Sequence, residues 1–247
     1  MSVDQGGRRV ARPPGPGPAR TTPRLVPPTR SARAFYALAR VVLYAVSRAL
    51  WRVTIEGTER VPRTGPFIVS PVHRSNIDTI LMSAVTRRRL AYLAKDSLWR
   101  HRSLGWLFSA LGGFPVRRGS ADREALRRCV GILQGGQSLV VFPEGARRLG
   151  PVVEDLFEGA AYLSLRTGAP IVPVGIGGSE GAMPKGSVLP RRVKVHMVVG
   201  DPLVPVTAGQ PGTRVHRPQI QELTEVLRAE LQSLFDRAQR VARPPGS

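Results

Sequence analysis

The sequence predicts an α/β fold with a mostly parallel central sheet flanked by helices, preceded by an amphipathic, membrane-associated helix near the N-terminus. Two observations predict it. From Trp51 onward, short apolar runs alternate with segments of helical periodicity. Several of those runs are rich in Val and Ile and continuous rather than alternating, as strands covered on both faces are. A strand–helix–strand rhythm of this kind builds a sheet with helices on its two faces, and ligands in such folds gather at the carboxyl ends of the strands.

Residues 1–32 are rich in Pro, Gly and Arg without apolar periodicity, and read as a disordered basic arm. Attraction to an anionic surface and simple solubility both fit this arm. The first ordered element spans residues 33–52. Arg40, Tyr44, Arg48 and Arg52 recur every four residues and form one stripe of a helix, while Leu38, Val41, Val42, Ala45, Val46 and Ala49 fill the other side. Such a helix suits a lipid interface, and the same pattern serves a helix packed on its own domain.

The third segment, residues 53–241, holds the domain, with residues 242–247 as a disordered tail. Strands are expected over 66–72 (PFIVSPV), 90–94, 114–116, 138–142, 170–174 and 193–199. Helices are expected over 76–87, 120–134 and 157–167. A last helix, 219–241, carries Leu223, Leu227, Leu231 and Leu234 at helical spacing and reads as a packing helix.

Composition narrows the chemistry. The 247-residue chain carries a formal charge of +20, nearly all of it from arginine, since the lysines are only Lys95, Lys185 and Lys194. Guanidinium groups bind phosphates in pairs of hydrogen bonds, so anionic lipid, phosphorylated substrates and nucleic acid are the partner classes to weigh. No clustered aromatics form a stacking platform and no nucleic-acid module is recognisable, so no specific nucleic acid is expected as a partner. Cys129 is the single cysteine. It shares an apolar helix face with Leu126, Val130 and Leu133, which fits core packing and excludes an internal disulfide. No stretch resembles a secretory leader, and none is expected to reach the roughly 20 apolar residues that span a bilayer. Membrane contact is therefore expected to be peripheral.

Four blocks carry polar residues where strands end. The first is His73-Arg-Ser-Asn-Ile-Asp78. A His held by a carboxylate is the arrangement of a general base, the carboxylate fixing the tautomer. On one regular helix the two residues would stand about 140° apart. Contact requires His73 in the turn before the helix and Asp78 in its first turn, with Ser75 or Asn76 as cap. The second block is Gly112-Gly-Phe114-Pro-Val-Arg-Arg118, a glycine turn and short strand ending on two cations. The third is Phe142-Pro143-Glu144-Gly145-Ala-Arg147-Arg148, where Glu144 is an odd neighbour for a core strand and Gly145 permits close backbone approach. The fourth is Ile171-Val-Pro173-Val-Gly, in which proline suggests an edge or site-lining strand.

Together and in this order, the blocks resemble the glycerolipid acyltransferase family of the 1-acyl-glycerol-3-phosphate (lysophosphatidic acid) acyltransferase type, over roughly residues 35–200. Its His-x4-Asp pattern is matched by His73 and Asp78, and its Gly…aromatic…Arg pattern by Gly112, Phe114 and Arg118. Its Phe-Pro-Glu-Gly-Thr-Arg is matched by Phe142 to Arg147, with Ala146 in place of Thr. The resemblance implies transfer of a fatty-acyl group to the free hydroxyl of 1-acyl-glycerol-3-phosphate, giving phosphatidic acid, with another lysophospholipid or polar acceptor as the alternative. Acyl-CoA or acyl carrier protein would be the donor, with no cofactor and no metal. His73 and Asp78 would be catalytic. Arg118, Glu144, Gly145 and Arg147 would bind the acceptor's phosphate, and Gly112, Phe114, Pro143 and Pro173 would line the acyl site. The implied setting is peripheral attachment to the cytoplasmic face of the cell membrane, with lipid substrates and an anionic membrane surface as partners.

Overall fold

The computed structural model describes residues 30–95, 106, 109, 111–116, 122–183, 189–205 and 215–243. The basic arm up to residue 29, Arg118 and the last four residues lie outside them. Among the described residues, seven strands form one sheet in the order β1-β7-β6-β2-β5-β3-β4. They are β1 (Thr54–Glu56), β2 (Ile68–Pro71), β3 (Leu90–Lys95), β4 (Gly113–Val116), β5 (Ser138–Val140), β6 (Ile171–Gly177) and β7 (His196–Val199). Every pairing is parallel except that of β6 with β7. The helices are α1 (Arg30–Trp51), α2 (Asp78–Val85), α3 (Asp122–Gln134), α4 (Gly159–Thr167), the single turn α5 (Ser179–Ala182) and α6 (Arg217–Ala242). The expected α/β architecture is the observed one.

The topology places the site. The chain lays β3 and β4 to one side of β2, returns to insert β5 between β2 and β3, then crosses to place β6 on the other flank. Ile68 of β2 is thus level with both Leu139 of β5 and Ile171 of β6. The connection leaving β2 emerges where the strand order reverses, the position at which open α/β sheets bind ligands. The middle strands are apolar on both faces, with Phe67, Ile68, Leu139 and Ile171 wholly buried.

Proline in β2 and β6 fits for a physical reason. Ile68 and Val72 donate their N–H groups to the carbonyls of Pro170, just before β6, and Val174 within it, so by strand alternation Pro71 faces β5, whose ladder has ended by then. Pro173 corrects an expectation. It lies not on an edge but between β2 and β7, where the neighbouring chain slips register by one residue between the Ile171–Leu203 bridge and the Val174–Val199 pair. The slip removes the need for a donor at that position.

Helix α6 lies directly on β6. A Cβ at Gly175 would meet the backbone of Leu234 and Phe235, and one at Gly177 that of Ala238 and Gln239. Two glycines two residues apart on one strand face therefore let a helix backbone approach that a side chain would hold off.

Helix α1 packs on its own domain, one of the two roles its pattern serves. It docks through Tyr36, Ser47 and Trp51, all buried, with Leu50 packed on the core. The Tyr36 hydroxyl accepts the Leu90 N–H at 3.2 Å. Its apolar stripe points away from the domain: Leu38, Val41, Val42 and Val46 are exposed. The dimensions correct a further expectation, because Ser31–Trp51 is long and apolar enough to cross a membrane by length and composition.

Candidate active site

Val72 closes β2 against β6 by donating its N–H to the Val174 carbonyl at 3.1 Å, and the chain then turns through His73 into α2. Asp78 is the first residue of that helix. The turn brings the two together as their spacing requires: His73 Nδ1 lies 3.0 Å from Asp78 Oδ2. The same oxygen accepts the Arg74 and Ser75 N–H groups, each at 2.7 Å. A buried carboxylate needs such donors, and three of them converge on Oδ2. Ser75 and Asn76 do not cap the helix as expected. The Ser75 hydroxyl donates instead to the Met183 carbonyl at 3.1 Å, and Asn76 is exposed.

A carboxylate on Nδ1 requires a proton there in the neutral ring, which leaves the Nε2 lone pair available. The His73 side chain retains 17% exposure, and Nε2 bonds to no described residue. One face of the ring rests on Phe142, with centroids 4.2 Å apart. The imidazole is fixed on one nitrogen and one face, and open at the other nitrogen.

The loop after β5 supplies the second half of the site. Glu144 is wholly buried. Its Oε1 accepts the His73 N–H at 2.8 Å and its Oε2 pairs with Arg74 Nη1. Both oxygens are thus turned into the protein, whereas the resemblance gives Glu144 a part in binding the phosphate. Gly145 has φ +66°, and a Cβ there would enter the Phe157 ring, so only glycine suits the turn. Its N–H is engaged by the Phe142 carbonyl at 3.1 Å. Pro143 is buried, its carbonyl accepting the Phe157 N–H at 2.8 Å. Arg148 donates its N–H to the His73 carbonyl at 2.9 Å and pairs with Glu154. Arg147 is half-buried and pairs with no carboxylate among the described residues.

The glycine-aromatic block sits farther off. Phe114 in β4 is buried in the main core, three strands from β2, or about 14 Å at the usual strand spacing. It packs the core and does not line the His73 turn. Gly112 is buried under β3, where a Cβ would meet the Leu90 carbonyl. Because β4 runs parallel to β3, it ends on the same edge of the sheet as His73. Among the described residues no group of three His, Cys, Asp or Glu could hold a metal ion.

A family model described as Acyltransferase matches residues 52–177, just over half of the chain and the whole span from β1 to β6. The chain belongs to the acyltransferase family. A chloroplastic 1-acyl-sn-glycerol-3-phosphate acyltransferase of Arabidopsis thaliana is 27% identical over 140 residues, covering 56% of this chain and 39% of that protein. The Bacillus subtilis 1-acyl-sn-glycerol-3-phosphate acyltransferase is 24% identical over 152 residues, 61% of this chain and 73% of its own length. The chain thus spans about two-fifths of its plant relatives. The crystal structure of the 1-acyl-sn-glycerophosphate acyltransferase PlsC from Thermotoga maritima superposes with a TM-score of 0.67 at 25% identity, covering 85% of this chain and 84% of that one.

Sequence reasoning missed Arg74 in this site. A signal was present, because a buried Glu144 demands a cation and Arg74 is the charged residue inside the His73 turn. It also missed Phe235 and Gln232 of α6, which lie under Arg74 and beside the loop. Nothing local in a leucine-patterned helix distinguishes them.

Proposed function

We propose that the chain transfers a fatty-acyl group from an acyl thioester to the free hydroxyl of 1-acyl-glycerol-3-phosphate at a membrane surface. The observation that carries this reading is the His73–Asp78 pair, with Nδ1 bonded to a buried carboxylate and Nε2 open at the carboxyl edge of the sheet. His73 Nε2 accepts the proton of the acceptor hydroxyl as that oxygen attacks the thioester carbonyl. Asp78 stabilises the imidazolium so formed. Collapse of the tetrahedral adduct breaks the carbon–sulfur bond, and the proton passes to the departing thiolate. The donor is a thioester of coenzyme A or of acyl carrier protein. Arg118 and Arg147 bind the acceptor's phosphate, in keeping with the bidentate geometry of guanidinium and phosphate.

The exposed stripe of α1 supports membrane association, which we place on the cytoplasmic face. We place the helix in the plane of the interface. Tyr36, Ser47 and Trp51 bind it to the domain near both of its ends, so crossing the bilayer would require it to leave the domain.

An acceptor panel with long-chain acyl-CoA tests the proposal, comparing wild type with His73→Ala and Arg118→Ala. The expected result is turnover of 1-acyl-glycerol-3-phosphate, a loss of about 10³-fold or more in His73→Ala, and a raised acceptor KM in Arg118→Ala. No turnover of any lysophospholipid would sink the reading. Loss in His73→Ala without any effect of Arg118→Ala would point to an acceptor that lacks a phosphate.

A further inference from the structure

Arg74 and Glu144 are among the most deeply buried charged residues described: Arg74 keeps 4% of its surface and Glu144 none. Neither oxygen of Glu144 faces an opening where substrate could sit. The pair joins two loops, the one leaving β2 and the one leaving β5. Its bonds converge on His73. Glu144 Oε1 accepts the His73 N–H, and the next carboxylate oxygen holds the Arg74 guanidinium. The His73 carbonyl accepts the Arg148 N–H from the same loop. Both backbone polar groups of His73 are therefore bound by the loop after β5, and its ring by Asp78.

Arg74 is in turn fixed from the far side. Its Nη2 donates to the Val152 carbonyl at 3.0 Å, and its guanidinium lies over the Phe235 ring at 4.8 Å. Gln232, one helical turn before, accepts the Val153 N–H at 2.7 Å and donates to the Pro151 carbonyl at 3.0 Å. Helix α6 thus supports the loop segment and the guanidinium together.

We propose that Arg74 and Glu144 are positioning residues for His73: the buried pair, backed by α6, holds the histidine's backbone so that Nδ1 meets Asp78 and Nε2 meets the acceptor hydroxyl. This deepens the reading of His73 as the base and rests on it. A buried carboxylate deprived of its cation turns outward or draws in water, and with it goes the bond to the His73 N–H. Displacement of a catalytic group by about 1 Å is enough to cost on the order of 10²-fold in rate.

The test uses the full chain in three forms: Arg74→Lys, the double variant Arg74→Met with Glu144→Leu, and His73→Ala. Replacing both members of a buried pair by apolar groups of similar size often preserves stability, so the double variant separates position from folding. Thermal unfolding, kcat and acceptor KM are measured for each, and the tautomer of His73 is read by long-range ¹H–¹⁵N NMR on ¹⁵N-histidine protein. The expected result is a double variant that unfolds within a few degrees of wild type, with kcat down roughly 10- to 100-fold. Its acceptor KM stays within about three-fold, and both His73 tautomers appear. Arg74→Lys keeps a charge but gives up the planar stack and second donor, so it shows the same pattern more weakly.

Recovery of kcat along with stability in the double variant would overturn the proposal, as would a rise confined to acceptor KM, which would make Glu144 a substrate ligand. If the double variant does not fold, Arg74→Lys decides: unchanged kcat and a single tautomer refute the proposal, and a fallen kcat at unchanged KM supports it. His73→Ala keeps the two readings apart. If it retains turnover the base assignment fails, whereas if it is inactive while the double variant is fully active, only the positioning role fails.

Discussion

Two carboxylates in this site have no exposed surface, and each is held differently. Asp78 collects one imidazole and two backbone donors on a single oxygen. Glu144 takes a full cation, Arg74. The nucleophile of this site is therefore expected to be the acceptor's own oxygen, activated through His73, with no protein group acylated on the way. Cys129 is the side chain that could have argued otherwise. It is 1% exposed, and burial pushes its thiol up to about 12. At neutral pH its thiolate fraction is on the order of 10⁻⁵, too small to attack a thioester competitively. Cys129→Ala is expected to keep kcat within about two-fold while losing about 1 kcal/mol of stability to the missing sulfur contacts. Steady-state assay and thermal unfolding check this, and a rapid quench with radiolabelled donor adds a direct view. Labelled protein in the quench, or collapse of kcat in the variant, would defeat it.

At the scale of elements, β1 and β7 illustrate how a sheet edge acquires a titrating group. His196 opens β7 opposite Thr54 of β1 and is buried. Its Nδ1 lies 2.7 Å from the Thr54 hydroxyl, and Nε2 stands 3.5 Å from Glu56, which Arg237 of α6 also engages. Desolvation lowers the His196 pKa below the ordinary histidine value, outweighing Glu56, while Lys194 and Arg237 act in the same direction as burial. The unfolded chain then binds the proton more readily than the folded one. The contribution to stability is complete above an unfolded value of about 6.5, and is lost as pH falls through it toward the lower folded value. Between pH 7.5 and 5, wild type is expected to lose more melting temperature than His196→Gln. Parallel curves from the two proteins would reject that sign.

The same edge shows where the sequence stopped being legible. Long apolar runs such as Phe67–Val72 and Ile171–Val174 announced their strands, because burial on both faces leaves an unmistakable composition. Thr54-Ile-Glu is three residues long and alternates polar with apolar, so β1 exists only through its neighbour. The antiparallel direction of β7 was equally hidden, since direction is set by the path of the connecting chain and not by the strand's residues. In the site, spacing was enough to pair His73 with Asp78 through one turn. It was not enough to direct Glu144 inward, because its partner Arg74 lies 70 residues away in sequence and next to it in space.

At the scale of the whole molecule, the domain presents its site on one edge of a sheet and carries an apolar stripe on α1 that is exposed among the described residues. The helix is 22 residues long, about 33 Å at 1.5 Å per residue. Leu38, Val41, Val42 and Val46 are 63, 52, 50 and 43% exposed, so roughly half of each side chain is available to lipid. Full burial of a Val or Leu is worth about 1.5–3 kcal/mol, so half-exposed ones contribute about 1 kcal/mol apiece. Replacing Leu38, Val42 and Val46 together by Ser removes about 3 kcal/mol of transfer energy, which is roughly a hundred-fold in partitioning. None of the three carries the docking of α1, which rests on Tyr36, Ser47 and Trp51, so melting temperature is expected to hold. The formal charge of +20 adds an electrostatic attraction that salt screens and the apolar stripe does not share. Vesicle co-sedimentation at low and high salt separates the two: the triple variant is expected to bind anionic vesicles weakly at low salt and hardly at all at high salt, whereas wild type retains a salt-resistant fraction. Equal salt-resistant binding by both proteins would mean that the α1 stripe is not the surface that meets the bilayer.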